Sequence, residues 1–353
     1  MKVGIVTFYN AINYGAVLQA WALRRCLTQF GHDVVIADVF PKPFLRTVIG
    51  AFVRGEWRQL LLLCKFHRFV FCRLAPSKDI SSADCFVAGS DQVWNVNYYS
   101  DKQGLFNSHL FLSADCVGQK RRISYAASIG DADLGHYKYL EELKRALGKF
   151  DRISVREDDA RQKLKAIGID SIVVPDPSLL LPREEYMELC GKSSAGRKYV
   201  FGYFLSGREE GPKVLSALVK NNSCRVVCVT LGGGTLRMTK NFSTSDWTFP
   251  ICSPEEWIGH IKSASLVVTD SFHGVMFSIK FHREFIFVPM KGRDGMNCRV
   301  CEVLDRCGLS SRSVSGVEML KDDFKVESID WHAVDSRIDA FIATGKEFLR
   351  ESL

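Results

Sequence analysis

The sequence predicts an α/β fold of two Rossmann-like halves facing across a cleft. Three observations carry this expectation. Apolar, β-branched runs of strand length recur along the chain, and each stops at a cluster of small polar residues. Helical apolar patterns alternate with these runs, as they do where crossover helices join parallel strands. Two prolines around Asp176, followed by Ser178–Pro182, divide the alternation in two. The expected units are residues 1–178, residues 179–330, and a terminal helix within residues 331–353 that packs back on one of them.

Lys2–Phe8 opens the first half as a strand. The polar turn Tyr9–Tyr14 leads into an amphipathic helix over Gly15–Phe30, closed by Gly31. Val34–Val39 is the next strand. The connecting loop has no GxGxxG pattern, which argues against a bound dinucleotide. Residues 43–75 break the rhythm with a helical insertion, chiefly Phe44–Leu74. Between Lys42 and Lys78 there are eight Lys or Arg residues and one acid, Glu56. The insertion fits a peripheral membrane or lipid-substrate surface. It also fits a helical element with Leu and Phe turned inward and its basic side in water, which is the expectation adopted. Strands then follow at Cys85–Ala88, Arg122–Ala127, Ile153–Val155 and Ile172–Val174, with helices over Leu134–Leu147 and Asp158–Ala166. The second half has strands at Tyr199–Leu205, Val226–Thr230, Leu266–Thr269 and Phe285–Val288. Its helices are expected at Glu210–Lys220, Pro254–Ala264, Val275–Phe281, Cys298–Cys307 and Val334–Leu349. Ser253 is expected to cap the helix opened by Pro254, Glu255 and Glu256.

The 353 residues suffice for two domains, and 46% hydrophobic with 25% charged residues is a soluble globular profile. The formal net charge of +7 suits an anionic ligand or membrane surface. Met1–Phe8 reads as a strand rather than a signal peptide, and no apolar run has membrane-spanning length. The expected location is therefore the cytoplasm, at most at the inner face of the cell membrane. The twelve cysteines sit mostly inside apolar patterns and read as reduced core residues. Cys298-x-x-Cys301, with Cys307 beyond, is one metal-like pair without a second, so no metal is expected.

The strongest chemical pattern is Leu266–Thr269 followed by Asp270-Ser271-Phe272-His273-Gly274, at the start of the next helix. Open α/β sheets bind ligands at the carboxyl ends of strands. Helix N-termini attract anions, and a histidine there can move protons near neutral pH. Other strand ends carry Asn10, Asn13 and Tyr14; Ser90, Asp91, Gln92 and Asn95; Ser128; Arg156; and Asp176. With parallel sheets, these groups line facing edges of an interdomain cleft. Each also has a plainer structural reading. His273 could pack the turn, Asn10 and Asn13 could form turns, Asp91 could cap one, and Arg156 could hold the domain interface. Gly232–Gly234 fits close approach to a phosphate or a flexible loop.

FVAGSDQVWN, ISYAASIG, ISVRE, PDPSLLL and VVTDSFHGVMFSI occur in this order, preceded by the loop YNAINYGAVLQA. This pattern resembles the polysaccharide pyruvyl transferase family from the first strand to about Leu309. The resemblance implies a GT-B-like pair of domains. It also implies transfer of pyruvate from phosphoenolpyruvate, a co-substrate, onto two hydroxyls of a sugar as a cyclic ketal, with no cofactor. On this basis His273 is the expected general acid/base, with Asp91 as a second catalytic residue. Arg156, Ser271, Gly274 and Arg299 would hold the donor. Asn10, Asn13, Gly15, Ser90, Asn95 and Asp270 would bind the acceptor or line the cleft. Members of the family often carry arginine two residues before the histidine, where this chain has Ser271. Arg156, Arg299, Arg293 and Lys280 are the cations that could replace it. The expected acceptor is a sugar, glycan or lipid-linked glycan, with no nucleic-acid partner. A nucleotide-sugar glycosyltransferase and a non-catalytic glycan-pathway protein are the competing readings.

Overall fold

The computed structural model describes residues 1–39, 44–98, 109–112, 117–190, 198–205, 210–220, 224–231, 246–320 and 326–353. The first lobe contains β1 (Lys2–Val6), α1 (Tyr14–Gln29), β2 (Asp33–Ile36), α2 (Phe44–Val53), α3 (Trp57–Phe69), β3 (Cys85–Ala88), β4 (Arg121–Ser124), α4 (Leu140–Leu147), β5 (Ser154–Val155), α5 (Asp158–Ala166) and β6 (Ile172–Val173). The short α6 (Pro177–Leu180) and α7 (Arg183–Cys190) cross to the second lobe. That lobe contains β7 (Tyr199–Phe204), α8 (Glu210–Val219), β8 (Arg225–Thr230), β9 (Trp247–Thr248), α9 (Pro254–Ser263), β10 (Leu266–Thr269), α10 (Phe272–Lys280), β11 (Phe285–Phe287) and α11 (Asp294–Cys307). The terminal α12 spans Trp331–Ser352.

Both sheets are parallel. The first is ordered β2-β1-β3-β4, and single bridges from Ile123 to Arg152 and from Ala127 to Val155 join the β5-β6 pair to its β4 edge. The second is ordered β11-β10-β7-β8-β9. Strands covered on both faces need continuous apolar runs, and β3 is buried throughout, as is β1 from Val3 onward. Helix α1 is buried along most of its length because it lies inside the molecule rather than on its surface. One apolar cluster joins Val3 and Tyr14 of the first lobe to Phe201 and Trp257 of the second and to Phe348 of α12, while each lobe also has a cluster of its own. Helix α12 returns to the first lobe, where Gly345 abuts Pro175, Arg152 meets Glu351 at 3.0 Å, and Arg350 lies over the Phe30 ring.

Several boundaries differ from the sequence expectation. The helix expected from Leu134 begins at Leu140, because Asp133 draws the chain into a turn by accepting the Gly135 amide at 2.9 Å. The helix expected from Cys298 begins four residues earlier, at Asp294. Strand β9, at two residues, is too short to show a period, and α7 follows the crossing without an expected signal. The insertion is two helices broken at Gly55, whose φ of +69° is left-handed. Its Phe66, Phe69, Val70 and Leu74 are buried as expected, but a second set of large apolar side chains faces outward. Its basic side is not all in water, since Lys65 meets Glu256 at 2.6 Å and Arg58 donates to the Phe249 carbonyl at 2.6 Å.

Candidate active site between the lobes

Strand order locates the site before any side chain is considered. From β1 the chain moves to β2 on one side, then returns to place β3 on the other. From β7 it moves to β8 and β9, then returns to place β10 and β11. The switch points lie between β1 and β3 and between β7 and β10, where open α/β sheets offer a crevice at their strand ends. The two crevices adjoin. Helix α1 starts after β1 and α10 starts after β10, and a Cβ placed on Gly15 would overlap the His273 imidazole around Nδ1. Glycine at the start of α1 therefore lets the imidazole rest directly on the backbone of the other lobe.

His273 is buried and faces Asp176, with Nε2 3.7 Å from Asp176 Oδ2. That separation makes an electrostatic contact rather than a hydrogen bond. The same oxygen accepts from Arg156 Nη1 at 2.8 Å and Ser90 Oγ at 2.9 Å. Asp176 Oδ1 accepts the Ser178 amide at 2.9 Å, capping α6, whose Pro177 occupies the first helical position. Arg156 also donates from Nε to Glu157 Oε1 at 2.9 Å. Burial alone would raise the Asp176 carboxyl, but the proximity of His273 and the charge of Arg156 outweigh it and hold the group well below the ordinary carboxylate range. For Arg156, burial opposes the charge and Glu157, Asp176 and Asp91 outweigh it, so the guanidinium stays protonated.

This buried polar cluster is incompletely satisfied. Arg156 Nη2, Glu157 Oε2 and His273 Nε2 have no hydrogen-bond partner among the described residues. Buried polar atoms are nearly always paired, so three orphans in one cluster are a functional indication. Two are on groups able to donate, beside the N-termini of α1 and α10. Phe272 lies between two cations, with the Arg156 guanidinium carbon 4.5 Å and that of Arg299 5.9 Å from its ring centre. Of the four cations that could replace the missing arginine, these two adjoin the His273 turn. Lys280 lies at the other end of α10, donating to the carbonyls of Leu179 and Leu181 at 2.9 Å each, and burial lowers it to about 8. Arg293 is exposed before α11.

The remaining sequence candidates divide by what their side chains already do. Asp91 stands in left-handed backbone, with φ +76°, and its Oδ1 accepts the Gln92 amide at 2.9 Å. It supports the Arg156 charge, and no contact among the described residues places it on His273. Ser90 belongs to the Asp176 cluster. Asn10 and Asn13 are half-buried, and Asn13 caps α1 by accepting the Ala16 amide at 3.3 Å. Ser271 caps α10 by accepting the Gly274 amide at 3.4 Å. Three further candidates already serve the local structure. Gly274 is packed so closely on β10 that a Cβ would overlap Thr269 Oγ1, and its amide serves the Ser271 cap. Asn95 is buried and braces two loops, donating to Gln92 Oε1 at 2.8 Å and Asp131 Oδ1 at 3.1 Å. Asp270 accepts the Leu205 amide at 2.8 Å and clips together the ends of β7 and β10. Gly232–Gly234 lie outside the described residues. The sequence reading placed Asp176 among the polar strand ends that line the cleft but assigned it no specific part, and it gave Glu157 and Phe272 no role. The flanking prolines were a signal for Asp176, since a capping carboxylate before a first-turn proline is a fixed, buried position.

No curated protein matches the chain by sequence. Solved structures similar to it include UDP-N-acetylglucosamine 2-epimerase from Rickettsia bellii, at 12% identity and TM-score 0.51, covering 100% of this chain and 98% of that one. Another is the UDP-GlcNAc 2-epimerase of Methanocaldococcus jannaschii, in complex with UDP-GlcNAc and UDP, at 12% identity and TM-score 0.50, covering 97% and 100%. These full-length likenesses show the GT-B-like fold of two Rossmann-like lobes. The family model of polysaccharide pyruvyl transferases matches residues 13–291, from the asparagine that caps α1 to just past the second switch point. This chain belongs to the polysaccharide pyruvyl transferase family.

Proposed function

We propose that the chain transfers the pyruvyl group of phosphoenolpyruvate onto two hydroxyls of a cell-surface glycan precursor, with His273 as general acid/base. The observation that carries this reading is that His273 and Arg156 both face the Asp176 carboxylate where the two switch points adjoin. Phosphoenolpyruvate brings a phosphate and a carboxylate, the groups that an arginine with an unpartnered Nη2 and two helix N-termini are suited to hold. Protonation of its methylene carbon by His273 makes C2 electrophilic, and the first sugar hydroxyl adds there and returns a proton to the imidazole. The second hydroxyl displaces phosphate, which carries away the second proton. The products are the ketal and inorganic phosphate. The positive charge on His273 between these steps faces the Asp176 carboxylate, which acts on the imidazole as a positioning residue.

Calorimetric titration with phosphoenolpyruvate, beside UDP, tests the donor. Saturable binding of phosphoenolpyruvate that weakens in Arg156→Lys supports the reading. Binding of UDP alone favours a nucleotide-sugar donor, the class of ligand held by the archaeal epimerase. With an acceptor in hand, His273→Asn should retain donor binding and lose about 10²–10⁴-fold in ketal formation.

A further inference from the structure

We propose that the α2–α3 hairpin docks the protein onto the headgroup region of an anionic lipid bilayer. Ten large apolar side chains are exposed among the described residues, and six of them, Ile49, Phe52, Val53, Trp57, Leu61 and Phe71, belong to this hairpin and the turn that follows it. Single exposed apolar residues are ordinary on a soluble surface, but a cluster of this kind marks an interaction site. The exposures are large: 57% for Phe52, 76% for Val53, 59% for Trp57 and 72% for Phe71.

Five of the six form one patch, while Phe71 lies beyond the far end of α3, stacked on His67. Ile49, Phe52 and Val53 share a face of α2 by helical spacing, and Trp57 and Leu61 stand one turn apart on α3. Phe52 and Trp57 meet edge-to-face at 5.3 Å between ring centres, which joins the outward sides of the two helices. Core packing does not explain these residues, because a different set, Phe66, Phe69, Val70 and Leu74, fills the core from the same segment. The hairpin is also held in place, through Lys65 on Glu256 and Arg58 on the Phe249 carbonyl.

Charge selects the occupant. Arg54, Arg58 and Arg68 are exposed on the hairpin, and its one acid, Glu56, is paired with Arg54 at 2.9 Å. An apolar centre with a cationic border matches acyl chains beneath anionic headgroups. No helix among the described residues is long and apolar enough to cross a membrane, so the contact is monotopic. Trp57 also lines a cavity of about 700 Å³ between the hairpin and the second lobe, bounded there by Val229, Thr230, Pro250 and Ile251. The docking face is thus continuous with an interlobe cleft. This inference stands independently of which donor the enzyme uses.

The test is flotation of the full chain with phosphatidylcholine vesicles, with and without phosphatidylglycerol, together with light scattering for mass. The protein should float with the anionic vesicles alone, and added salt should release it. The double variant Phe52→Ser/Trp57→Ser, altered only at exposed positions, should keep its unfolding temperature and lose roughly a hundredfold in partitioning. Arg68→Gln should lose roughly fivefold. Absence of flotation overturns the proposal, as does equal binding to neutral vesicles. A dimer that dissociates in the double variant and ignores vesicles also overturns it and makes the patch an interface between copies.

Discussion

Gly15 and His273 show how a single missing side chain can set the geometry of a candidate site. The imidazole occupies the space that a Cβ at position 15 would need. Gly15→Ala should therefore displace the buried ring, lowering kcat about 100-fold and costing about 1–3 kcal/mol by overpacking. Asp176 acts differently, because its charge is built into the folded state. Its folded pKa lies below the unfolded value, so it contributes stability above the ordinary carboxylate range and loses it progressively as pH falls. Asp176→Asn should cost about 3–5 kcal/mol near neutrality, since it strips Arg156 of a buried partner. Denaturant melts from pH 7 down to about 3 should show a shallower acid loss in the variant than in the parent protein. An unchanged acid slope would remove Asp176 from this role.

Among the elements, the β10–α10 turn is the most tightly specified. Ser271 caps the helix, Gly274 lets it lie against Thr269, and Asp270 ties the strand end to β7. Gly274→Ala should cost about 1–3 kcal/mol by overpacking, measurable as a fall in denaturant midpoint at constant m-value. The start of α9 is a second fixed point. Ser253 and Glu256 form a reciprocal capping box, so Ser253→Ala should cost about 1 kcal/mol. The Ser253 cap was legible in the sequence because the proline and acids that mark a first turn follow it directly. The start of α4 was not, because apolar spacing continues through Leu134 while the Asp133 turn delays the helix.

At the scale of the whole molecule, one apolar cluster spans both lobes, beside the cluster that each lobe has of its own. Tyr14 of α1 stacks on Trp257 of α9 at 5.1 Å and donates to the Cys252 carbonyl at 3.1 Å, while Trp257 also meets Tyr203 edge-on at 4.9 Å. The protein should unfold in a single calorimetric transition, whereas Trp257→Ala should lose about 3–5 kcal/mol and broaden or split it. Two transitions in the parent protein would show that the shared core does not couple the lobes.

The sequence by itself determined the alternation of strands and helices and the polar strand ends. It also placed His273 and Arg156 on such ends, because periodicity, caps and turn residues act over a few positions. It carried the family pattern as well, which the match over residues 13–291 shows. The tertiary structure alone decided which ends meet. Local rules could not distinguish Asn95, spent on bracing loops, from Ser90, which joins Asp176, since both are polar residues after the same strand. Nor could they show that the amphipathic insertion has apolar side chains left over once its inward face is filled. Contact between Gly15 and His273 depends on how two lobes pack around α1, and that packing is set by the complementarity of whole surfaces rather than by any short stretch of chain.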